Sequence, residues 1–181
     1  ALGSKSNGKF LGTFGKVGCF SLQSNKIVTC GQGGIIVTND DRYYETIRRL
    51  RDFGRFNNKE SLHGIEGYNL KFNDLSAALV LSQFRKIEER KIMLIAQREE
   101  YETELSTLDE IKFPPIGKNS MEIPLWVDVI VKYRNELIEY LKSYNIHTRA
   151  CWPPLHRNPP YSFLGNDNDF QNSSYISDNV I

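Results

Sequence analysis

The stretch Gly18-Cys19-Phe20-Ser21-Leu22-Gln23-Ser24-Asn25-Lys26-Ile27-Val28-Thr29-Cys30-Gly31-Gln32-Gly33-Gly34 decides how this chain is read. It sets one lysine between two short apolar runs, 17–22 and 35–38, with the Ser21 hydroxyl five residues before it and a glycine-rich turn after it. Apolar runs bounded by glycines suit buried strands. An amine held on a loop between such strands, with small residues leaving room beside it, suits a Schiff base to a carbonyl cofactor. An amine is a nucleophile only when neutral, and burial favours that form. Spacing alone favours a plainer reading, a solvated lysine on a turn, so the rest of the chain has to decide.

Working outward, residues 3–15 are rich in glycine and lysine and read as loop. Asn39-Asp40-Asp41 offers helix N-caps, Tyr43, Ile47 and Leu50 recur at helical spacing, Arg48, Arg49 and Arg51 fill the last turns, and Gly54 suits the C′ position. Residues 55–67 are polar and read as irregular. Asn73 or Asp74 caps a long helix expected to reach about Leu108, supported by the Arg85–Glu89 and Arg98–Glu102 pairs. Pro114-Pro115 ends that pattern and 117–120 reads as a turn. Beyond it the sequence predicts a strand at 125–131, an amphipathic helix at 133–144 closed by Asn145, a strand at 146–150, an extended proline-rich segment at 152–161, and no helix in 172–181. Strands alternating with helices predict an α/β protein.

Composition narrows the partners. The 181 residues carry 23 Lys and Arg against 22 Asp and Glu, a net charge of +1, which suits neither nucleic acid nor an anionic membrane surface. No apolar run nears the ~20 residues that span a bilayer, and the first residues show no secretory h-region, so a cytoplasmic setting is expected. Cys19, Cys30 and Cys151 are widely spaced, lack metal-site spacing and read as reduced core thiols. No cluster of histidines and acids suggests a metal.

Linked motifs turn the reading. Gly15, Phe20, Ser21, Lys26, Gly31, Gly33, Gly34 and Thr38-Asn39-Asp40 are followed by Leu50-Arg51-Asp52-Phe53-Gly54, by Gly67-Tyr68-Asn69 with Asp74 and Ala77-Ala78, and near the end by Thr148-Arg149 and Pro154-Leu155-His156. In this order and spacing they resemble the DegT/DnrJ/EryC1/StrS family of pyridoxal-phosphate sugar aminotransferases across nearly the whole chain, with the last segment similar to perosamine-synthase-like members. The resemblance implies the aspartate-aminotransferase-like fold, fold type I, as a homodimer whose active sites are shared. It implies that residues 1–108 are the end of the large cofactor-binding domain with a long inter-domain helix, and 109–181 most of the small domain. The chain is therefore expected to be a C-terminal fragment that by itself binds the cofactor poorly and turns over little.

The same resemblance assigns roles. Lys26 would hold pyridoxal phosphate and move the proton during transfer from L-glutamate to a nucleotide-linked keto-deoxysugar, in the making of amino sugars for polysaccharide. Ser21 would bind the cofactor phosphate, although a strand-end serine also bonds its own backbone. Asn69 would reach the phosphate in the partner subunit, although it also suits a turn. Arg149 and His156 would face the substrate, with Lys71 standing where arginine is common; a lysine keeps the charge but loses the bidentate fork. Gln32 replaces the usual glutamate, and Phe53 a frequent histidine, which bears on sugar specificity rather than on the cofactor. Two alternatives stay open: a non-catalytic or regulatory homologue of the fold, and a sugar dehydratase of the family, in which histidine typically replaces the lysine. A nucleotide-binding loop is disfavoured, since the glycine turn lacks G-x-G-x-x-G and a following Lys-Thr pair.

Overall fold

A computed structural model describes residues 2–56, 62–117 and 120–181. The chain forms two compact units, Ala1–Ala96 with Ile116–Leu125, and Gln97–Pro115 with Trp126–Ile181.

The first unit opens with two short strands, β1 (Lys5–Ser6) and β2 (Lys9–Phe10), where the sequence predicts only loop. Asn7 and Gly8, at φ +48° and +75°, make the tight two-residue turn that matches strand twist. The strands are two residues each, too short for alternation to show in the sequence. β1 also pairs antiparallel with Ser120–Met121, the sixth strand in chain order. β3 (Gly18–Ser21) and β4 (Gly34–Val37) pair antiparallel from Gly18 opposite Val37 to Ser21 opposite Gly34, close to the expected positions.

α1 (Asp41–Arg51) forms as its sequence predicts. Asp40 caps it by accepting from the Arg42 N–H at 2.9 Å, and Arg48, Arg49 and Arg51 sit at its negative end. Its exit differs from expectation. Asp52 is the C-cap and Phe53 takes the left-handed conformation (φ +56°) ahead of Gly54 (φ +73°). The chain then returns antiparallel to itself, through the Arg55–His63 and Asp52–Asn69 bridges. The middle of the irregular segment expected at 55–67 lies outside the described residues, as does part of the 117–120 turn.

The single long helix expected from 73 to 108 is two helices. α2 (Asp74–Phe84), capped by Asn73 through the Ser76 N–H at 2.8 Å, is followed by α3 (Ile87–Glu104). They part at one tightened turn where the Lys86 N–H bonds the Gln83 carbonyl at 3.0 Å. No glycine or proline marks that turn, so nothing in the local pattern announces it.

In the second unit β5 (Ile111–Lys112) pairs antiparallel with β7 (Ile130–Val131), and β6, between them in the chain, is the Ser120–Met121 strand of the first unit. Residues 125–129 and 146–150, expected as strands, are not strands; Val129 instead exchanges two hydrogen bonds with Ile181 (3.1 and 3.0 Å) and Cys151 N–H bonds Val180 O (3.0 Å). α4 (Arg134–Ser143) forms as expected, with Asn145 left-handed (φ +61°) beyond it. The proline-rich segment makes two 3-10 turns, Leu155–Arg157 and Pro159–Leu164. The last residues, read as having no helix, form α5 (Gln171–Asn179). Its buried residues are Ser174 and Ser177, so the face it turns inward carries hydroxyls and leaves no apolar stripe to read.

Candidate active site

The loop between β3 and β4 is fixed at both ends. Leu22 and Val28, each 1% exposed, are the two fully buried large side chains of the described residues, and they stand four before and two after Lys26. The Leu22 N–H bonds the Gly33 carbonyl (2.9 Å), and the Leu22 carbonyl accepts from the Cys30 N–H (3.1 Å) and the Thr29 hydroxyl (3.0 Å). Between these anchors the Lys26 N–H closes a turn onto the Gln23 carbonyl at 3.0 Å. Lys26 is therefore presented from a short bridge whose ends are part of the core.

Lys26 and Ser21 line one cavity of about 170 Å³, walled by Phe20, Ile27, Leu94 and Ile123. Lys26 is half-buried and Ser21 exposed. Ser21 Oγ accepts the Gln23 N–H at 3.3 Å, a long bond that leaves the serine proton to donate elsewhere. An amine and a hydroxyl donor sharing a cavity with partly apolar walls fit a group with a carbonyl at one place and an anion at another, as pyridoxal phosphate has. The glycines of the turn differ in the space around them. A Cβ on Gly33 would stand 2.7 Å from the Phe72 ring and 3.0 Å from Cys30 Sγ, so the close approach there is to the chain itself, whereas a Cβ on Gly31 would meet nothing within 4 Å.

The other expected site residues stand elsewhere. Asn69 is exposed and its backbone bridges Asp52; Lys71 donates to Asp52 Oδ1 at 2.9 Å and lies 4.8 Å from the Phe53 ring centroid. The Lys71 ammonium holds the Asp52 carboxyl below its ordinary range. Neither Asn69 nor Lys71 lines the cavity of Lys26. Arg149 and His156 belong to the second unit. Arg149 is exposed and stacks over Trp152 at 3.9 Å. His156 is 7% exposed, stacked on Phe170 and bonded through Nε2 to Asp167 at 2.7 Å. Arg157 clamps Asp167 and Asp178 (2.9 and 2.5 Å), which lowers both carboxyls, Asp167 well below the usual carboxylate range.

Sequence reasoning missed two residues that bear on the lysine loop. Gln83 Nε2 donates to the Thr29 carbonyl at 2.7 Å while its Oε1 accepts the Thr29 N–H at 3.2 Å. Arg90 donates to the Ile27 carbonyl at 2.6 Å and to Gln83 Oε1 at 2.7 Å. The one signal was a glutamine inside the apolar run of α2; its partner, 54 residues away, is in no local pattern.

The match of this chain to known proteins agrees with the motifs. The model of the DegT/DnrJ/EryC1/StrS aminotransferase family matches residues 1–181, and the chain belongs to that family. Among its relatives is the GDP-perosamine synthase of Escherichia coli O157:H7, 30% identical over 172 residues, which cover 90% of this chain and 45% of that protein. The GDP-perosamine synthase of Caulobacter vibrioides is also 30% identical, over 178 residues covering 92% and 47%. The chain thus spans about half the length of the curated relatives it matches. The crystal structure of S. venezuelae DesV in complex with a ketimine intermediate superposes with a TM-score of 0.92 at 24% identity, over 99% of this chain and 49% of that one. The fold is accordingly the expected α/β, aspartate-aminotransferase-like fold type I, in part. Among the described residues no helix is long and apolar enough to cross a membrane.

Proposed function

We propose that this chain is the lysine-bearing part of a pyridoxal-phosphate-dependent sugar aminotransferase, which moves an amino group from L-glutamate to a nucleotide-linked keto-deoxysugar. The observation that carries the reading is the cavity shared by Lys26 and Ser21, in a family of aminotransferases. Pyridoxal phosphate, when bound, supplies an electron sink for the carbon that loses or gains the amino group. Lys26 Nζ would hold the cofactor as its amine ligand and would serve as the base that moves the proton during amino transfer. The anchors at Leu22 and Val28 keep the backbone that carries Lys26 in one place, which limits where the amine can reach. Ser21 would donate its hydroxyl proton to the phosphate, beside the apolar wall of Ile27, Leu94 and Ile123.

Asn69 is assigned to the phosphate held by a second copy of the protein, in keeping with its exposed position. Arg149, with its guanidinium exposed over Trp152, is assigned to the carboxylate of the donor or the diphosphate of the sugar nucleotide. His156 supports that segment through Asp167, and Lys71 is assigned to the substrate side. In the whole protein that contains these residues, pyridoxal phosphate is expected to give an absorbance band that Lys26→Ala lacks and that L-glutamate bleaches, and residues 1–181 alone are expected to give a weak band or none. A band of the same strength in Lys26→Ala refutes the assignment.

A further inference from the structure

We propose that Gln83 and Arg90 are positioning residues for Lys26: they hold the backbone of the lysine loop from the helix side and thereby aim the amine, without touching cofactor or substrate. The inference rests on the reading of Lys26 as the reactive amine.

The geometry is a two-point lock. The Gln83 side-chain amide faces the Thr29 peptide as a neighbouring strand would, donating to its carbonyl at 2.7 Å and accepting its N–H at 3.2 Å. A pair of bonds in opposite senses holds the two peptides on either side of the Thr29 α-carbon, and so fixes the backbone there in a way that a single bond does not. Arg90 adds a charged donor on the Ile27 carbonyl at 2.6 Å, the peptide that begins one residue after Lys26. Bonds to an ionised donor are roughly twice as strong as neutral ones. Arg90 also donates to Gln83 Oε1 at 2.7 Å, which orients the glutamine amide and makes the three groups one network.

Position in the chain supports the same role. Gln83 lies in the last turn of α2 and Arg90 in the first turn of α3, so one of the two holds the loop from each side of the turn at Lys86. Val28, between the two clamped peptides, is 1% exposed. The segment 27–29 is thus held through its side chain on the core and through its carbonyls on the helices. A side chain that only filled space would not need matched donors and acceptors, and glutamine and arginine lose much rotamer freedom when fixed in this way.

The test reads aim rather than turnover. The protein is treated with pyridoxal phosphate and borohydride, and the ratio of label on Lys26 to label on exposed Lys132 is measured by peptide mapping. Amide exchange at Thr29 is followed in parallel. In Gln83→Leu and Arg90→Met the ratio is expected to fall about tenfold or more, since ~1 Å of misplacement costs up to 10²-fold, and Thr29 exchange is expected to quicken. Arg90→Lys, which keeps a cationic donor, is expected to recover most of the ratio. An unchanged ratio with quickened Thr29 exchange overturns the positioning role, and so does a recovery no better with lysine than with methionine. If a variant unfolds, the two lysines label alike, and the ratio in Arg90→Lys against wild type then decides: a ratio near that of wild type supports the role, and a ratio as low as an unfolded chain gives overturns it. A wild-type chain with no preference for Lys26 refutes the amine assignment itself, and is recognised because it precedes any substitution.

Discussion

Gly54 and Gly31 are both left-handed, at φ +73° and +87°, but they differ in the space around them, and that difference sets a prediction. At Gly31 a Cβ meets nothing within 4 Å; at Gly54 it would sit 1.9 Å from the Ile65 carbonyl oxygen and 2.8 Å from its carbon. Gly31→Ala therefore carries only the left-handed penalty, ~1–2 kcal/mol, less ~0.4–1 kcal/mol from the narrower unfolded state. Gly54→Ala carries the same penalty and must also push the returning segment away by more than 1 Å to reach ordinary contact near 3.4 Å. That shift breaks the bonds that run between the two segments: Gly64 N–H to Gly54 O (2.8 Å) and Phe53 N–H to Tyr68 O (3.0 Å), with the His63 Nδ1 contact to Phe53 O (2.6 Å). At ~1 kcal/mol each, these bring the total to about 3–5 kcal/mol. Thermal unfolding followed by circular dichroism reads the contrast. At about 2–4 °C per kcal/mol for a chain of this size, Gly54→Ala should lower Tm by roughly 6–20 °C and Gly31→Ala by a few degrees at most. Equal losses in the two variants would mean that backbone conformation alone sets the cost, and that the crossing of residues 54 and 65 is not as described.

Further predictions concern charge. Asp167 and Asp178 have carboxyls depressed by Arg157, so their stabilisation is complete above the unfolded value of ~3.9 and is lost as pH falls below it toward their folded values. Tm should accordingly drop on acidification below about pH 4, and Arg157→Met should flatten that drop; an unchanged slope contradicts the clamp. Lys71→Met should return the Asp52 carboxyl toward its ordinary value of 3.8, read by NMR titration, and a titration that stays low would show that Lys71 is not the cause.

How much of this was legible in the sequence depends on how local the cause was. α1 was readable because Asp40, its apolar spacing and its terminal arginines all act within one element. The lysine loop was readable because glycines and short apolar runs bound it. The exit of α1 was readable as a left-handed cap but not as one carried by Phe53, since the docking of residues 68–70 on the helix end, with Phe53 N–H on Tyr68 O, is a contact across the chain. α5 was hidden because Ser174 and Ser177 supply its buried face, and the division of α2 from α3 because no breaker stands at Lys86. In the candidate site, Ser21 and Lys26 were named from linked motifs and share a cavity, whereas Gln83 and Arg90 act on the loop from 54 and 63 residues away, a separation that no periodicity encodes.

The role of Lys26 is tested most directly by reducing the protein with borohydride in the presence of pyridoxal phosphate and mapping the label by mass spectrometry. Reduction captures even brief attachment, so it does not require the chain to hold the cofactor tightly. If Lys26 is the reactive amine, the label concentrates on it, is lost from that peptide in Lys26→Ala, and is diminished by an excess of L-glutamate. Label spread evenly over exposed lysines such as Lys112, Lys132 and Lys142, with no excess at Lys26, would contradict that role.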